Sequence, residues 1–303
     1  MGKQDKFGKV AVLYGGRSAE REISLKSGAA IHAALISAGV DAYLVDVAAD
    51  IVAVLERENF DRAFIALHGP EGEDGTMQGL LQWMNIPYTG SGILASALCM
   101  NKARAKLVWL GAGLPTPNFL LWDEHLTVSD ISKVLQFPLA VKPASEGSSI
   151  ATFKVKTADE LMPAIEKAKQ YGEVVIEEWV IGKEFSVPVV AGQVLPSICI
   201  ETPREFYDYQ AKYFENTTQY HCPSGLSAEK EQQLQALAWE SYKMLGCSGW
   251  GRVDVMQNEA GDFYLIEINT VPGMTASSLV PKGAVQFGWD FPTVLQKILE
   301  MTL

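Results

Sequence analysis

Four polar side chains alternate with apolar residues in two short segments that otherwise have the composition of buried strands. They are Arg252 and Asp254 in WGRVDVM, and Glu267 and Asn269 in FYLIEIN. Successive side chains of a strand point to opposite faces, so each polar pair shares one face of its strand. A turn around residues 258–262 would pair the two strands as a hairpin and bring the four side chains together.

This polar group admits two chemical interpretations. A bare buried carboxylate costs on the order of several kcal/mol, so each acid needs compensation. Arg252 can pair with one acid, which would give a structural ion-pair network. Two carboxylates and an amide also supply the hard oxygen ligands that Mg²⁺ prefers, with phosphate oxygens and water completing its coordination. The spacing favours the metal and phosphate site and leaves the ion-pair network open.

A loop of small residues follows Lys142 and separates two strand-like runs. Its sequence is PASEGSS, residues 143–149. Small side chains let backbone N–H groups approach phosphate oxygens, and Lys142 would add a cation. The P-loop pattern G-x-x-x-x-G-K-[ST] is absent, and a strand rather than a helix follows. The loop is interpreted as a flap over nucleotide phosphates, with an ordinary Gly-Ser turn as the alternative.

Residues 90–95 (GSGILA) match the dinucleotide-binding pattern G-x-G-x-x-A, but their context does not. Only IPYT precedes them, and no acidic residue stands about 20 positions further on to bind a ribose. The segment is expected to form a tight turn that opens a helix. A dinucleotide-dependent oxidoreductase would rest on this segment alone.

Three further residues have both a structural and a functional interpretation. Glu20 lies at the start of a predicted helix, where a carboxylate complements the helix dipole without any further role. His68 ends an apolar run, and strand ends of this kind face the ligand crevice in doubly wound sheets, although a lone His is more often structural. Trp179 is either a core residue or a neighbour of an adenine ring.

Strand-like and helix-like segments alternate through the first hundred residues, which predicts an α/β protein with a parallel sheet covered by helices. Thr157 and Glu160 have the spacing of a capping box, and Ser227 of an N-cap. Residues 201–226 lack either periodicity and are interpreted as a lid. The predicted domains are an N-terminal α/β domain at 1–97, a central domain at 98–182 and a C-terminal domain at 183–303.

The composition excludes several classes of protein. A formal net charge of −11 argues against a surface that tracks nucleic-acid phosphates. The four cysteines form no C-x-x-C pair, so a zinc ribbon or a disulfide framework is not indicated, and a reduced cytoplasmic setting is expected. No apolar run reaches the roughly 18 to 20 residues that a membrane span needs.

Seven segments occur in one order along nearly the whole chain: LYGGRSAEREISLKSG, ALHGPEGEDG, YTGSG, KPASEGSS, YDYQAKY, GWGRVDVM and EINTVPGMT. Together they closely resemble the D-alanine:D-alanine ligases of the ATP-grasp superfamily. The resemblance implies a three-domain ATP-grasp fold with a Rossmann-like N-terminal domain, and ATP held between the other two domains. It also implies ligation of two D-alanine molecules through an acyl phosphate, with ATP converted to ADP, for peptidoglycan synthesis.

The resemblance assigns roles residue by residue. The implied metal ligands are Asp254, Glu267 and Asn269. The implied ATP-binding residues are Lys102, Lys142, Glu177, Trp179, Val180, Glu184 and Lys212. The implied catalytic residues are Glu20, Ser148, Tyr213, Arg252, Gly273 and Ser278. His68 falls in the first D-alanine subsite, and Ser278 with Leu279 falls at the carboxylate of the second D-alanine.

Some roles can be stated more closely from the same resemblance. Glu20 would meet the amino group of the first D-alanine, with Ser148 and Tyr213 as its hydrogen-bond partners. Arg252 and the N–H of Gly273 would stabilise the tetrahedral intermediate. Tyr213, where Phe would be the alternative, favours an amine over a hydroxyl acceptor. The resemblance further implies magnesium, with manganese as an alternative, and a homodimer through the N-terminal domain. A monovalent cation is a further candidate cofactor.

Overall fold

Three β-sheets and the helices around them make up the protein, as described here from a computed structural model for residues 6–47, 50–203 and 217–303. The α/β class predicted from the sequence is confirmed. Within the described part of the chain, no helix has both the length and the apolar character needed to cross a membrane.

The first sheet is parallel, with strand order β2–β1–β3. Its central strand is almost entirely buried, because neighbouring strands and helices cover it on all sides. GSGILA forms the predicted turn, with Gly92 at the N-cap of a helix. The elements are β1 (Val10–Tyr14), α1 (Arg21–Ser37), β2 (Ala42–Asp46), α2 (Ile51–Glu58), β3 (Arg62–Ile65), α3 (Thr76–Trp83) and α4 (Ile93–Met100).

The second sheet is antiparallel, with strand order β4–β7–β5–β6. Strands β5 and β6 flank the PASEGSS loop, as predicted. Its elements are α5 (Lys102–Gly111), β4 (Phe119–Leu121), α6 (Val128–Val134), β5 (Leu139–Pro143), β6 (Phe153–Val155), α7 (Ala158–Ala168) and β7 (Val174–Glu178).

The capping box predicted at the start of α7 is wrong in its details. The Thr157 side chain makes no cap hydrogen bond. The Glu160 carboxylate instead accepts from the backbone N–H of Lys156 at 2.7 Å, one residue earlier than the motif requires. Ser227 does cap its helix, because its side chain accepts from the N–H of Lys230.

The third sheet is antiparallel, with the order β11–β10–β8–β12–β13 and the short strand β9 beside β8. Residues 204–216, which contain most of the predicted lid, lie outside the described residues. The elements are β8 (Gly182–Val190), β9 (Gln193–Val194), β10 (Ile198–Glu201), β11 (Gln219–His221), α8 (Ala228–Met244), β12 (Trp250–Asn258), β13 (Phe263–Asn269), α9 (Leu279–Phe287) and α10 (Phe291–Glu300).

The hairpin of β12 and β13 has the predicted facing residues. Arg252 lies opposite Asn269, and Asp254 lies opposite Glu267, immediately before a register shift at Val255. Strand β8 pairs along the other edge of β12 from Trp250 to Asn258. The polar group is therefore held between two partner strands.

The last two helices return to the first sheet. Buried side chains of α10, such as Leu295 and Ile298, belong to the same core as β1 and α1. Arg62 on β3 donates to the backbone oxygen of Thr302 at 3.0 Å. The 113–117 connection is also packed, because Thr116 donates to the carbonyl of Leu265 on β13 at 2.8 Å. Sequence periodicity reveals none of these long-range contacts.

Helix α1 approaches β1 so closely at Gly28 that a Cβ there would lie 2.3 Å from the Cβ of Tyr14. We expect Gly28→Ala to lower the free energy of unfolding by about 1 to 3 kcal/mol, because the helix must move off the sheet. Gly111→Ala is the matched control, since a Cβ on this exposed helical glycine meets no atom within 4 Å. That change should be neutral or stabilising by up to about 1 kcal/mol. Urea unfolding of both variants measures the difference, and equal midpoints would contradict this packing.

Candidate active site

A cavity of about 560 Å³ lies between the second and third sheets. The strands β5 and β7 contribute one wall, and β8, β12 and β13 contribute the other. Among the residues singled out from the sequence, it is lined by Lys102, Lys142, Glu177, Trp179, Val180, Glu184, Asp254 and Glu267. Tertiary structure thus gathers side chains that are up to 165 positions apart in the chain.

Two lysines hold the Glu177 carboxylate at one end of this cavity. Lys142 on β5 donates to Oε1, and the ammonium of Lys106 on α5 lies 2.7 Å from Oε2. Burial would raise the pKa of Glu177, but the two ammonium charges outweigh it and lower that pKa to about 2. Burial lowers the pKa of Lys106 to about 8, against the opposing effect of Glu177. Glu177 is therefore a buried anion with two cationic partners.

Lys102 joins the small-residue loop to the hairpin. It is the first residue of α5, and the Asn101 side chain caps that helix by accepting from the N–H of Arg104. Its ammonium donates to the carbonyl of Glu146 at 2.6 Å and lies 3.1 Å from Oε2 of Glu267. A cation is thus placed at the mouth of the loop and beside one of the hairpin carboxylates.

The Asp254 carboxylate accepts hydrogen bonds from three neighbouring side chains. Arg252 donates to both of its oxygens, at 2.8 and 2.6 Å. Ser186 on β8 donates to Oδ1 at 2.8 Å, and the Asn269 amide donates to Oδ2 at 2.9 Å. The ion-pair interpretation of the polar group is therefore realised in part, since Arg252 pairs with Asp254 while Glu267 pairs with Lys102 instead.

The donor set also fits a magnesium ion. Two carboxylates and an amide share one face of the hairpin, and both carboxylates border the cavity. The described residues contain no group of three or more His, Cys, Asp or Glu side chains that could hold a metal ion. Magnesium usually takes only one or two carboxylates and completes its shell with phosphate and water, which is the set of donors that the hairpin offers.

The loop between β5 and β6 has an unusual backbone. Three of its residues other than glycine have positive φ, at 54° for Ser148, 59° for Ser149 and 53° for Ala151. Such conformations persist only where the surroundings enforce them. Ser148 donates a hydrogen bond to Oε1 of Glu20, which precedes α1. The loop is therefore tied to the start of α1, which packs against the first sheet.

Glu20 is buried in a tight space between two loops. A Cβ on Gly147 would lie 3.0 Å from Oε2 of Glu20, and one on Gly69 would lie 2.7 Å from it. Glu73 accepts from the N–H of Gly69 at 2.9 Å, but burial, followed by the charge of Glu20, raises its pKa to about 8. Glu73 is therefore largely protonated at neutral pH.

His68 belongs to a buried contact between helix α1 and the segment after β13. Its Nε2 lies 3.0 Å from the hydroxyl of Ser27, which accepts from the N–H of Met274. Burial lowers the pKa of His68 to about 4, and the charge of Arg252 acts in the same direction. The imidazole is therefore neutral at pH 7.

Gly273 and Ser278 come together at the start of α9. A Cβ on Gly273 would lie 3.3 Å from the Ser278 hydroxyl, which accepts from the N–H of Thr275 at 3.0 Å. Ser278 is the N-cap residue of α9, and Leu279 is its first residue. These residues do not line the 560 Å³ cavity; nor do Glu20, His68, Ser148, Arg252 or Asn269.

Two predicted site residues lie outside the described part of the chain, and four residues of the site were not predicted. Lys212 and Tyr213 fall outside the described residues. Lys106, Glu73, Ser186 and Ser27 were not singled out from the sequence. Only Lys106 carries a signal, because it is three positions from both Ala103 and Trp109 and so lies on the buried face of α5.

Comparisons with known proteins give one consistent family. The family model described as D-ala D-ala ligase C-terminus matches residues 108–300, and the one described as D-ala D-ala ligase N-terminus matches residues 52–91. The chain is 54% identical to the D-alanine–D-alanine ligase of Pseudomonas putida (strain GB-1), over 97% of this chain and 92% of that protein. It is 52% identical to the ligase of Stutzerimonas stutzeri (strain A1501), over 98% and 95%.

Solved structures agree in fold. The D-alanine–D-alanine ligase of Bacillus anthracis complexed with ATP superposes with a TM-score of 0.86 at 33% identity, covering 97% of both chains. The VanG D-Ala:D-Ser ligase of Enterococcus faecalis also has a TM-score of 0.86, at 30% identity, covering 98% of this chain and all of that one. The α/β architecture is therefore the ATP-grasp fold of these enzymes. By sequence identity and by structure, this chain belongs to the D-alanine–D-alanine ligase family.

Proposed function

We propose that this protein joins two D-alanine molecules into D-alanyl-D-alanine, with ATP converted to ADP and phosphate. The observation that carries the proposal is the cavity in which two lysines face two hairpin carboxylates, beside the Glu20–Ser148 contact. Its surroundings provide cations for a triphosphate and ligands for a divalent metal. The family's established product supports a role in peptidoglycan synthesis.

The nucleotide lies in this cavity. Lys102 and Lys142 bind its phosphates, while Glu177, Trp179, Val180 and Glu184 border its adenosine part. Asp254, Glu267 and Asn269 hold magnesium, for which manganese is the alternative. When bound, the metal neutralises charge on the phosphates and so assists phosphoryl transfer. Lys212 is assigned to the same site from the sequence resemblance alone.

The D-alanine subsites lie along the edge of the N-terminal domain. Glu20, held by Ser148, accepts the ammonium group of the first D-alanine, and neutral His68 borders the same subsite. The carboxylate of that D-alanine attacks the γ-phosphate and gives an acyl phosphate with loss of ADP. The amine of the second D-alanine then attacks the acyl carbon, and phosphate leaves.

Donors close to the reacting carbonyl stabilise the tetrahedral intermediate. Arg252 and the backbone N–H of Gly273 take this role, since developing negative charge is stabilised by donors already in position. Ser278 and Leu279, at the start of α9, bind the carboxylate of the second D-alanine. Tyr213 is assigned to the lid and to the choice of an amine acceptor.

The organisation of the molecule is also part of the proposal. The domains are residues 1–97, 98–182 and 183–303, and two chains associate through the N-terminal domain. A cytoplasmic location is supported by the need for ATP and by four cysteines that are all free. A monovalent cation requirement is testable by exchange of K⁺ for a bulky cation.

D-serine is a second candidate for the acceptor amine, because the D-Ala:D-Ser ligase has the same fold. Phosphate release should be measured with ATP, magnesium and D-alanine, alone and with D-serine, D-lactate or L-alanine added. The proposal expects release with D-alanine alone and identification of D-alanyl-D-alanine by mass spectrometry. Release only when D-serine is present would favour the second acceptor, and no release with any D-amino acid would refute the ligase assignment.

Glu267→Gln should reduce kcat by at least about a hundredfold and leave the fold intact, because an amide is a poor substitute for a metal-binding carboxylate. The matched control is Glu259→Gln, which changes an exposed acid on the turn of the same hairpin. Phosphate release over a magnesium titration, together with thermal unfolding, measures both effects. Turnover of Glu267→Gln equal to that of the control at saturating magnesium would contradict the ligand role.

Ser148→Ala removes the donor that holds Glu20. We expect the KM for D-alanine to rise about ten- to a hundredfold, since a lost hydrogen bond to a charged group is worth roughly 1.5 to 3 kcal/mol. The KM for ATP should change much less. Ser132→Ala, an exposed serine on α6, is the control. Steady-state kinetics with each substrate varied in turn makes the distinction, and an unchanged KM for D-alanine would remove Ser148 from the subsite.

A further inference from the structure

Lys106 is a fully buried lysine that does not line the substrate cavity. It lies on the inner face of α5, between Ala103 and Trp109, where an apolar residue would be the usual choice. Burying an ammonium group is unfavourable unless charge and hydrogen bonds compensate it. The partners of Lys106 must therefore supply this charge and these hydrogen bonds.

Those partners connect the core to the nucleotide cavity. The Lys106 ammonium donates to Oγ1 of Thr116 at 2.6 Å and lies 2.7 Å from Oε2 of Glu177. Within the described residues, Oε2 of Glu177 has no partner that meets the geometry of a hydrogen bond. The attraction between Lys106 and Glu177 is therefore mainly electrostatic. Glu177 uses its other oxygen to accept from Lys142, which does line the cavity.

The charges in this cluster are unequal. Lys106, Glu177 and Lys142 carry two positive charges and one negative charge, so the cluster has a net charge of +1 beside the cavity. Without Lys106, Glu177 and Lys142 would form a neutral pair. Lys142 would then offer a phosphate much less electrostatic attraction, because its charge would be offset by a carboxylate in direct contact.

We propose that Lys106 is a positioning residue that neutralises Glu177 from behind and thereby leaves the charge of Lys142 available to the nucleotide phosphates. Lys106 itself touches no substrate. Thr116 holds Lys106 in place and is in turn held by the carbonyl of Leu265, two residues before Glu267. The inference rests on the proposed function, since it requires ATP in the cavity.

A purely structural role is the competing explanation, and it makes a different prediction. Replacing a buried ion pair by apolar groups is often neutral or stabilising, so a well-packed methionine at this position can preserve the fold. A structural defect would weaken binding of the whole nucleotide. Loss of net charge weakens only the part of the binding that comes from phosphates.

The test compares the binding of adenosine with that of the β,γ-imido analogue of ATP in the presence of magnesium. Titration calorimetry gives both dissociation constants for the wild type and for Lys106→Met. The inference expects the analogue to bind Lys106→Met about tenfold more weakly, equivalent to about 1.4 kcal/mol, with adenosine affinity unchanged. An equal loss for both ligands, or no loss for either, would overturn it.

Two further variants separate charge from packing. Lys106→Met combined with Glu177→Gln restores the net charge to +1, so the ratio of the two dissociation constants should return to within about threefold of the wild-type ratio. A double variant that keeps the ratio of Lys106→Met would contradict the charge mechanism. The ratio is also compared directly with the wild type, so a double variant that differs from it by more than about threefold contradicts the charge mechanism even when Lys106→Met does not fold.

Thr116→Val is the matched control, because it removes the hydrogen bond of Lys106 and keeps both lysine charges. Affinity for the analogue should stay within about twofold of the wild type, and a tenfold loss would point to hydrogen-bonded placement instead of charge. A wild-type protein that binds the analogue no more tightly than adenosine would overturn the proposed phosphate site as well. Failure of that site is thus distinguishable from failure of the inference.

Discussion

The constraint on which the site depends is the placement of two carboxylates, Asp254 and Glu267, directly opposite each other on paired strands. Like charges in this position repel and would destabilise the hairpin. Asp254 is compensated within the third sheet by Arg252 and Ser186, whereas Glu267 depends on Lys102 from α5. Compensation of the hairpin therefore also connects it to the first residue of α5. Because Lys102 also donates to the carbonyl of Glu146, the same side chain contacts the loop between β5 and β6.

A second set of charges follows the same logic on the opposite wall of the cavity. Lys142 would be an isolated cation near the core without Glu177, and Glu177 in turn is balanced by Lys106. Lys102, Lys142, Glu177, Asp254 and Glu267 thus each have an oppositely charged partner in the protein itself. Groups that are already oriented need little rearrangement when a substrate arrives, which is how preorganised sites stabilise developing charge. The Glu20–Ser148 contact extends this arrangement to the N-terminal domain.

Local patterns predicted local features well. The alternation of Arg252, Asp254, Glu267 and Asn269 with apolar residues predicted the hairpin and its facing side chains, because the period of a strand is a property of the backbone alone. The turn before the helix at Gly92 and the N-cap at Ser227 were also predicted, because turn and cap chemistry acts between residues that are near neighbours in the chain. The capping box predicted at Thr157 was wrong, because the Glu160 carboxylate is within reach of several backbone N–H groups and bonds that of Lys156. Three-dimensional geometry decides which N–H group the carboxylate accepts from, and sequence spacing alone does not specify that geometry.

The sequence by itself determined the α/β class, the polar face of the hairpin, the small-residue loop after Lys142 and, through seven segments in order, the resemblance to a ligase family. Tertiary structure alone decided that Lys106 supports Glu177, that Ser27 links His68 to Met274, and that α10 completes the core of the first sheet. The physical reason is that periodicity and turn chemistry act between near neighbours in the chain. The burial and pairing of charges depend instead on which distant segments are brought into contact.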